Sequence, residues 1–538
     1  MFLLLAITLA TSAAAQQPPP AGGEIRVAAL RAHVDFLASD LLEGRGTATR
    51  GYALAASYVQ AALAASGVQP AGTDGSWRQA VPLLRSSAEP EKCELVLSGP
   101  DGEQQLAYES EWLAAEPLAA TSGELEAPLV FVGFGVSAPA LGHDDYAALD
   151  VRGKIAVTLR GAPSTFSPTL RAFYSDRAQK LEAARAHGAL GTLALWTKAD
   201  AKALPWSAVI AQRRVLGGTM TWLAPSGEPF GAFSELRARA VVAPAIAERL
   251  FARAPRKLAR VLADAKRGAP KGFALPWRAR LRVAATHARF ASDNVVGWIE
   301  GSDPELRGEL VVLSAHLDHL GIGEPEDGDA IYNGAVDNAA GIATLLELAR
   351  AIAAQPIAPR RSVAFLATTG EESGLLGSGY FAAHPTLAGA RIVANLNVDG
   401  NALPFDVDDV VLYGEAHSTL GPLAREAAAA TGWNVSPDPW PAQVVFIRSD
   451  QYSFVSRGIP ALYPDLGIQA REPGVDGRAR RKAWESTIYH SPNDEPDQPI
   501  AWETGERFAR FLLELTRRVA NADEAPRWNA GDFFAEKR

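Results

Sequence analysis

Three apolar runs in the second half of the chain end in side chains that bind metals or move protons. Leu310 to Ser314 leads into Ala315-His316-Leu317-Asp318-His319. Ser362 to Thr368 leads into Thr369-Gly370-Glu371-Glu372, and Ile392 to Val398 leads into Asp399-Gly400. Each run is short and apolar, as a buried strand is. Ligands in open α/β sheets bind at the carboxyl ends of the strands. Three strands would therefore deliver His, Glu and Asp to one edge. Two loops add Asp337, in Ala335-Val336-Asp337-Asn338-Ala339-Ala340-Gly341, and His490, in Tyr489-His490-Ser491-Pro492-Asn493-Asp494-Glu495.

Singly, each piece has a plain structural reading. Asp337 opens a helix and suits an N-cap, where free backbone N–H groups favour a carboxylate. Glu371-Glu372 reads as a charged helix start, and His490 beside Pro492 as a structural histidine. Together, His316, Asp337, Glu372, Asp399 and His490 are the ligand types zinc accepts at about 2.0–2.2 Å. The two oxygens of Asp337 suit a bridge between ions about 3.5–4 Å apart. Glu371 is left over beside a ligand, where a free carboxylate serves as a general base in hydrolysis.

Composition narrows the chemistry. Cys93 is the only cysteine, which excludes cysteine-type zinc sites and any intramolecular disulfide. Lys and Arg number 52 against 61 Asp and Glu, a net charge of −9 with no basic block. Nucleic acid and anionic membranes are therefore poor partners. Phe2 to Ala10 is an apolar run followed by Ala13-Ala14-Ala15, so residues 1–15 read as an export signal, although no Lys or Arg precedes the run. The run is too short to span a bilayer. Residues 16–23, rich in Pro and Gly, read as a linker. A periplasmic or extracellular location follows as an expectation.

The 538 residues exceed one ordinary domain. Helical spacing of Ile25, Leu30, Val34 and Leu37 predicts a helix over 25–39, and a second follows over 52–66, ended by Gly67. The stretch 112–285 holds short Gly-bounded strands at 128–136, 154–159 and 191–196, and a helix over 177–187. It carries no acid/base or metal constellation and reads as a small β-rich insertion. From about Asn294 strands alternate with helices, predicted over 338–354 and 373–383. Phe508, Phe511, Leu512, Leu515 and Val519 stripe a closing helix. This predicts an α/β fold with a mostly parallel central sheet and helices on both faces. The catalytic part would comprise 24–111 and 286–522, leaving 523–538 as a tail.

The motifs resemble the co-catalytic di-zinc aminopeptidase and glutamate-carboxypeptidase family. They are Ala-His-Leu-Asp-His at His316, Gly-Ala-Val-Asp-Asn-Ala-Ala-Gly at Asp337, Gly-Glu-Glu-Ser-Gly-Leu-Leu-Gly-Ser at Glu371, Asn-Val-Asp at Asp399 and Tyr-His-Ser-Pro-Asn-Asp-Glu at His490. Phe36-Leu37-Ala38-Ser39-Asp40 with Leu42-Glu43-Gly44-Arg45, and Arg448-Ser449-Asp450, also match. The resemblance implies two Zn²⁺ ions, one on His316, Asp337 and Asp399, the other on Asp337, Glu372 and His490. It implies that Glu371 is the general base, that Asp318 orients His316, and that the Asp337–Asn338 peptide is cis. The insertion, with Asp144-Asp145-Tyr146 and Gly153-Lys154-Ile155, resembles a protease-associated domain.

The implied activity is an exopeptidase on peptides, foremost an aminopeptidase. A carboxypeptidase or dipeptidase on the same scaffold is the near alternative, and a receptor-like binding protein the distant one. Two positions depart from the family: Gln451 stands where His is frequent, and Phe446 where some members carry a Tyr hydroxyl. His319 reads as a pocket-edge residue. His33, His143, His187, His287 and His417 read as structural or surface residues. Arg448 and Asp450 suit either substrate binding or an internal salt bridge.

Overall fold

The computed structural model describes residues 23–268, 270–400, 402–441 and 443–536. The export signal expected over 1–15, and most of the linker, lie outside the described residues.

The fold is organised by one long strand. Along the chain come β1 (Arg78–Ala88), β2 (Ser122–Phe131), β3 (Ile155–Leu159), β4 (Gly191–Leu195), β5 (Ala238–Val242) and β6 (Phe273–Ile299). They are followed by β7 (Glu309–His316), β8 (Ser362–Thr368), β9 (Arg391–Asn397), β10 (Asp409–Tyr413) and β11 (Ala461–Leu466). The 27 residues of β6 belong to two sheet regions. Its first half pairs antiparallel with β2, Leu281 opposite Leu125. Its second half pairs with β1 and then β8, Gly297 opposite Phe365. Beyond β8 the sheet runs parallel through β7, β9 and β11. On the other side β2, β3, β4 and β5 are also mutually parallel.

Helices α1 (Val27–Leu37), α2 (Arg50–Ala65), α3 (Pro168–Ser175), α4 (Arg177–Ala186), α5 (Ala340–Ala353), α6 (Leu376–Ala383), α7 (Gly477–Thr487) and α8 (Trp502–Asn521) complete the frame. Alternation along β7 explains why helices cover both faces. Val311 and Leu313 enter the core shared with α1, α5 and α8. Leu310 and Val312 enter the core on the opposite face, with Phe381 of α6. The striped residues Phe508, Phe511, Leu512, Leu515 and Val519 of α8 are all buried. The mostly parallel sheet with helices on both faces is thus present. Among the described residues no helix is long and apolar enough to cross a membrane.

Some boundaries differ from the sequence reading, each for a local reason. The helix expected from Asn338 starts at Ala340, because Asp337 and Asn338 have non-helical dihedrals. The helix expected from Ser373 starts at Leu376, after Gly370 (φ 67°) and Leu375 (φ 58°) turn the chain the left-handed way. The strand expected over 128–136 begins at Ser122 and ends at Phe131, before Gly133 (φ 70°) and Gly135 (φ 73°). Stretch 112–285 holds several helices beside its strands. The end of the chain packs inward: Phe534 is 1% exposed and meets Phe173 of α3 on one side and Phe446 and Trp528 on the other.

Candidate metal centre

Parallel register brings the polar strand ends to one level. His316 on β7 pairs with Thr368 on β8, and Ser314 with Asn397 on β9. The next residues of each chain, Asp318, Glu371, Glu372 and Asp399, therefore cluster above the same edge. His316 is 2% exposed; its Nε2 lies 3.1 Å from Asp337 Oδ1 and 3.2 Å from Asp399 Oδ1. The other oxygen of Asp337, Oδ2, lies 3.0 Å from His490 Nε2, which is 3.2 Å from Glu372 Oε1. The five candidate ligands are thus together, and each Asp337 oxygen faces a different set.

These spacings fit zinc. Ligand atoms about 2.0–2.2 Å from one tetrahedral ion stand roughly 3.3–3.6 Å from each other. Electrostatics points the same way. Asp318, Asp337, Glu371, Glu372, Asp399 and Asp450 crowd one region, and such a set of carboxylates demands cations. Burial alone would lower His316, but Asp399, Glu371 and Asp337 hold it well above the ordinary range. Burial also opposes charge on His490, yet its bonds to Asp337 and Glu372 lift it to about 11. Burial and the Asp337 charge push Glu372 up, and the bonds from His319 and His490 outweigh them, holding it at about 2. Glu371 is the contrast: burial, aided by Glu372, Asp399 and Asp450 against the pull of His316, places it well above the carboxylate range.

The Asp337 loop corrects the capping reading. Asp337 sits in a kink with a cis peptide to Asn338, as the resemblance implied. Its side chain makes no cap. Asn338 does that work: its Oδ1 accepts from Gly341 N and Gly400 N, each at 3.0 Å, and its Nδ2 donates to Val398 O. One amide thereby ties the start of α5 to the Asp399 loop. Asp494, four residues after His490, accepts from the backbone N–H of Val336 and Asp337.

Asp318 differs from its implied task. His316 Nδ1 is held by the main-chain carbonyl of Asp318, at 3.0 Å. The Asp318 carboxylate instead accepts from the backbone N–H of Glu371 (3.1 Å) and Glu372 (3.4 Å), and from Thr47 Oγ1. It fixes the Glu371-Glu372 turn. Burial raises its own pKa to about 6, against the pull of His316.

Further supports come from Arg45 and Ser449, which lie in the motifs but were given no role, and from residues outside them such as Tyr463. Buried Arg45 donates to the carbonyls of Leu37, Leu317, Asn333 and Gly334, clamping the loops of His316 and Asp337. Ser449 Oγ donates to Asp399 Oδ2 at 2.6 Å, and Tyr463 OH to the Asp399 carbonyl at 2.5 Å. Gln451 accepts from Asn397 Nδ2 and donates to the carbonyls of Val445 and Phe446. Phe446 stacks on His417. Asp450 accepts from Thr368 Oγ1, and among the described residues it makes no ion pair with Arg448.

A cavity of about 760 Å³ opens onto the cluster. Glu371, Asp337 and Asp399 line it together with Tyr413, Trp440, Arg448, Tyr463, Trp484 and Tyr489. Ala203, within the stretch 112–285, also lines it. His319 lies behind the ligands rather than at this mouth, and borders a second cavity of about 230 Å³ with Thr47, Met220 and Ser373.

Residues 294–516 match the model of Peptidase family M28, and the resemblance read from the motifs is borne out there. The chain is similar to the aminopeptidase from Aneurinibacillus sp. strain AM-1, at TM-score 0.53 and 19% identity, covering 94% of this chain and 96% of that one. It is 34% identical over 122 residues to leucine aminopeptidase 1 of Trichophyton rubrum, covering 22% of this chain and 31% of that protein. It is 37% identical over 123 residues to a vacuolar membrane protease of Lachancea thermotolerans, covering 22% of this chain and 11% of that protein. The matched stretches thus span less than a third of these relatives.

Proposed function

We propose that this protein is a zinc-dependent exopeptidase that releases N-terminal residues from peptides. The observation that carries the reading is the division of Asp337: Oδ1 toward His316 and Asp399, Oδ2 toward His490 and Glu372. In this reading His316, Asp337 and Asp399 hold one ion, and Asp337, Glu372 and His490 the other. When bound, the ions supply a Lewis acid for the scissile carbonyl and make water a better nucleophile.

The chain's own residues do the rest. Glu371 lines the cavity and makes no bond through its carboxylate among the described residues. Its carboxylate, made more basic by burial, takes a proton from the attacking water and passes it to the leaving amine as the C–N bond breaks. Asp318 holds the Glu371 backbone, and Ser449 and Tyr463 hold Asp399. Tyr413, Trp440, Trp484 and Tyr489 offer apolar surface to a substrate side chain.

A carboxypeptidase or dipeptidase reading has its own support: Arg448 lines the cavity exposed and makes no ion pair among the described residues, so it suits a substrate carboxylate. A panel of N-blocked and C-blocked peptides tested with the zinc-loaded protein separates the readings. Cleavage of C-blocked but not N-blocked peptides supports the aminopeptidase; the reverse refutes it. The stretch 112–285 is proposed as a protease-associated domain that walls the cleft through Ala203. Export, read from residues 1–15, is proposed to place the enzyme outside the cytoplasm; full-length protein retained in the cytosol of its source cells would overturn that.

A further inference from the structure

His319 is unused by the reaction above, yet it is among the most enclosed side chains of the site. It has no exposed side-chain surface. Its Nδ1 lies 2.9 Å from Glu372 Oε1 and 3.9 Å from Asp337 Oδ2. A carboxylate oxygen can only accept, so as a hydrogen bond this contact places the proton on Nδ1 of His319. The ring's other nitrogen, Nε2, is buried without a partner. A histidine placed only to fill a core does not aim its donor at a ligand oxygen and leave its acceptor unpaired.

The surrounding backbone is shaped for this ring. Gly334 has φ 60°, and a Cβ there would lie 2.6 Å from two ring atoms of His319. Only glycine leaves room. The same Gly334 carbonyl is clamped by Arg45, whose own carbonyl receives the His319 N–H at 3.3 Å. Gly46 and His319 form a bridge beside it. The Arg45 loop, the Asp337 loop and the His319 ring are thus one packed unit.

We propose that His319 is a positioning residue for the metal centre: its Nδ1–H fixes the Glu372 carboxylate so that this oxygen is offered toward His490 and Asp337. Ligating carboxylates are generally held by such outer hydrogen bonds, and their loss weakens metal binding. The inference rests on the two-ion reading of the site, with Glu372, Asp337 and His490 sharing one ion.

The test is zinc retention by full-length protein during chelator titration, read by metal analysis, with Co²⁺ absorption as a second signal. His319→Ala deletes the donor. His319→Asn keeps an amide N–H close to the Nδ1 position. The proposal expects His319→Ala to hold one of its two ions about 10–100-fold less tightly, with an altered Co²⁺ spectrum, while His319→Asn stays within about threefold of wild type. Unchanged retention of both ions in His319→Ala overturns it. Equal weakening in both variants also overturns it, and makes His319 a ligand in its own right. If His319→Ala does not fold, His319→Gln fills the space with its amide displaced toward Nε2 and is held to the same expectation. A wild-type chain that takes up no zinc refutes the two-ion reading itself, whereas one that binds two ions but cleaves no peptide leaves His319's role standing.

Discussion

The two halves of β6 each border a parallel sheet, yet only one half borders chemistry. On the first side β2, β3, β4 and β5 run parallel and end at Phe131, Leu159, Leu195 and Val242. All four of these residues are buried apolar side chains. On the second side β7, β8 and β9 run parallel and lead into His316, Glu371-Glu372 and Asp399. Among the described residues, the groupings His316–Asp337–Asp399 and His319–Asp337–Glu372 that could hold a metal both lie on the second side. A parallel edge supplies a place where loops converge, but the residues that follow each strand decide whether anything is bound there.

This contrast is breakable by experiment, and the largest effect is expected at the metal. Exhaustive chelation should abolish peptide hydrolysis, and Zn²⁺ should restore it; activity that survives complete metal removal would place the chemistry elsewhere. Next comes Glu371→Ala. It should retain both ions by metal analysis while turnover falls about 10²–10⁴-fold; near-normal turnover would take the base role from Glu371. On the stability side the largest expected change is at the junction. Phe534→Ala removes a buried ring that touches both regions, and should cost about 3–5 kcal/mol in denaturant unfolding; a cost near zero would mean that the chain end does not bind the regions together. The smallest effect is expected on the chemically silent half. Breaking the exposed pair Arg282–Glu124, at 3.1 Å between β6 and β2, with Arg282→Ala should leave denaturant unfolding close to that of wild type, with zinc content untouched. A variant there that sheds zinc would contradict the division.

Much of the frame was legible in the sequence because it depends on short-range pattern. The strand Ser362–Thr368 has the predicted bounds, and the α8 stripe is buried residue for residue. The helix starts at Ala340 and Leu376 were not legible, and the pattern placed them early, at Asn338 and Ser373. Periodicity is blind to the left-handed residues Gly370 and Leu375 and to the kink at Asp337. His490 is the sharpest case: its loop gives no periodic signal, it adopts φ 57°, and only the motif pointed to it.

By itself the sequence determined which residue types could serve: histidine and carboxylate ligands in place of cysteine, one spare carboxylate beside them, and strands alternating with helices to present them. Those facts are local and need no coordinates. The tertiary structure alone decided which atom faces which. The carbonyl of Asp318, not its carboxylate, holds His316; Asn338, not Asp337, caps α5; Nδ1 of His319 meets Glu372; and Arg45 clamps a carbonyl 272 residues away at Leu317. The physical reason is that a hydrogen bond is fixed to a few tenths of an ångström by backbone dihedrals in loops far apart in the chain. Such loops are set by the packing of the whole molecule, which one-dimensional spacing does not encode.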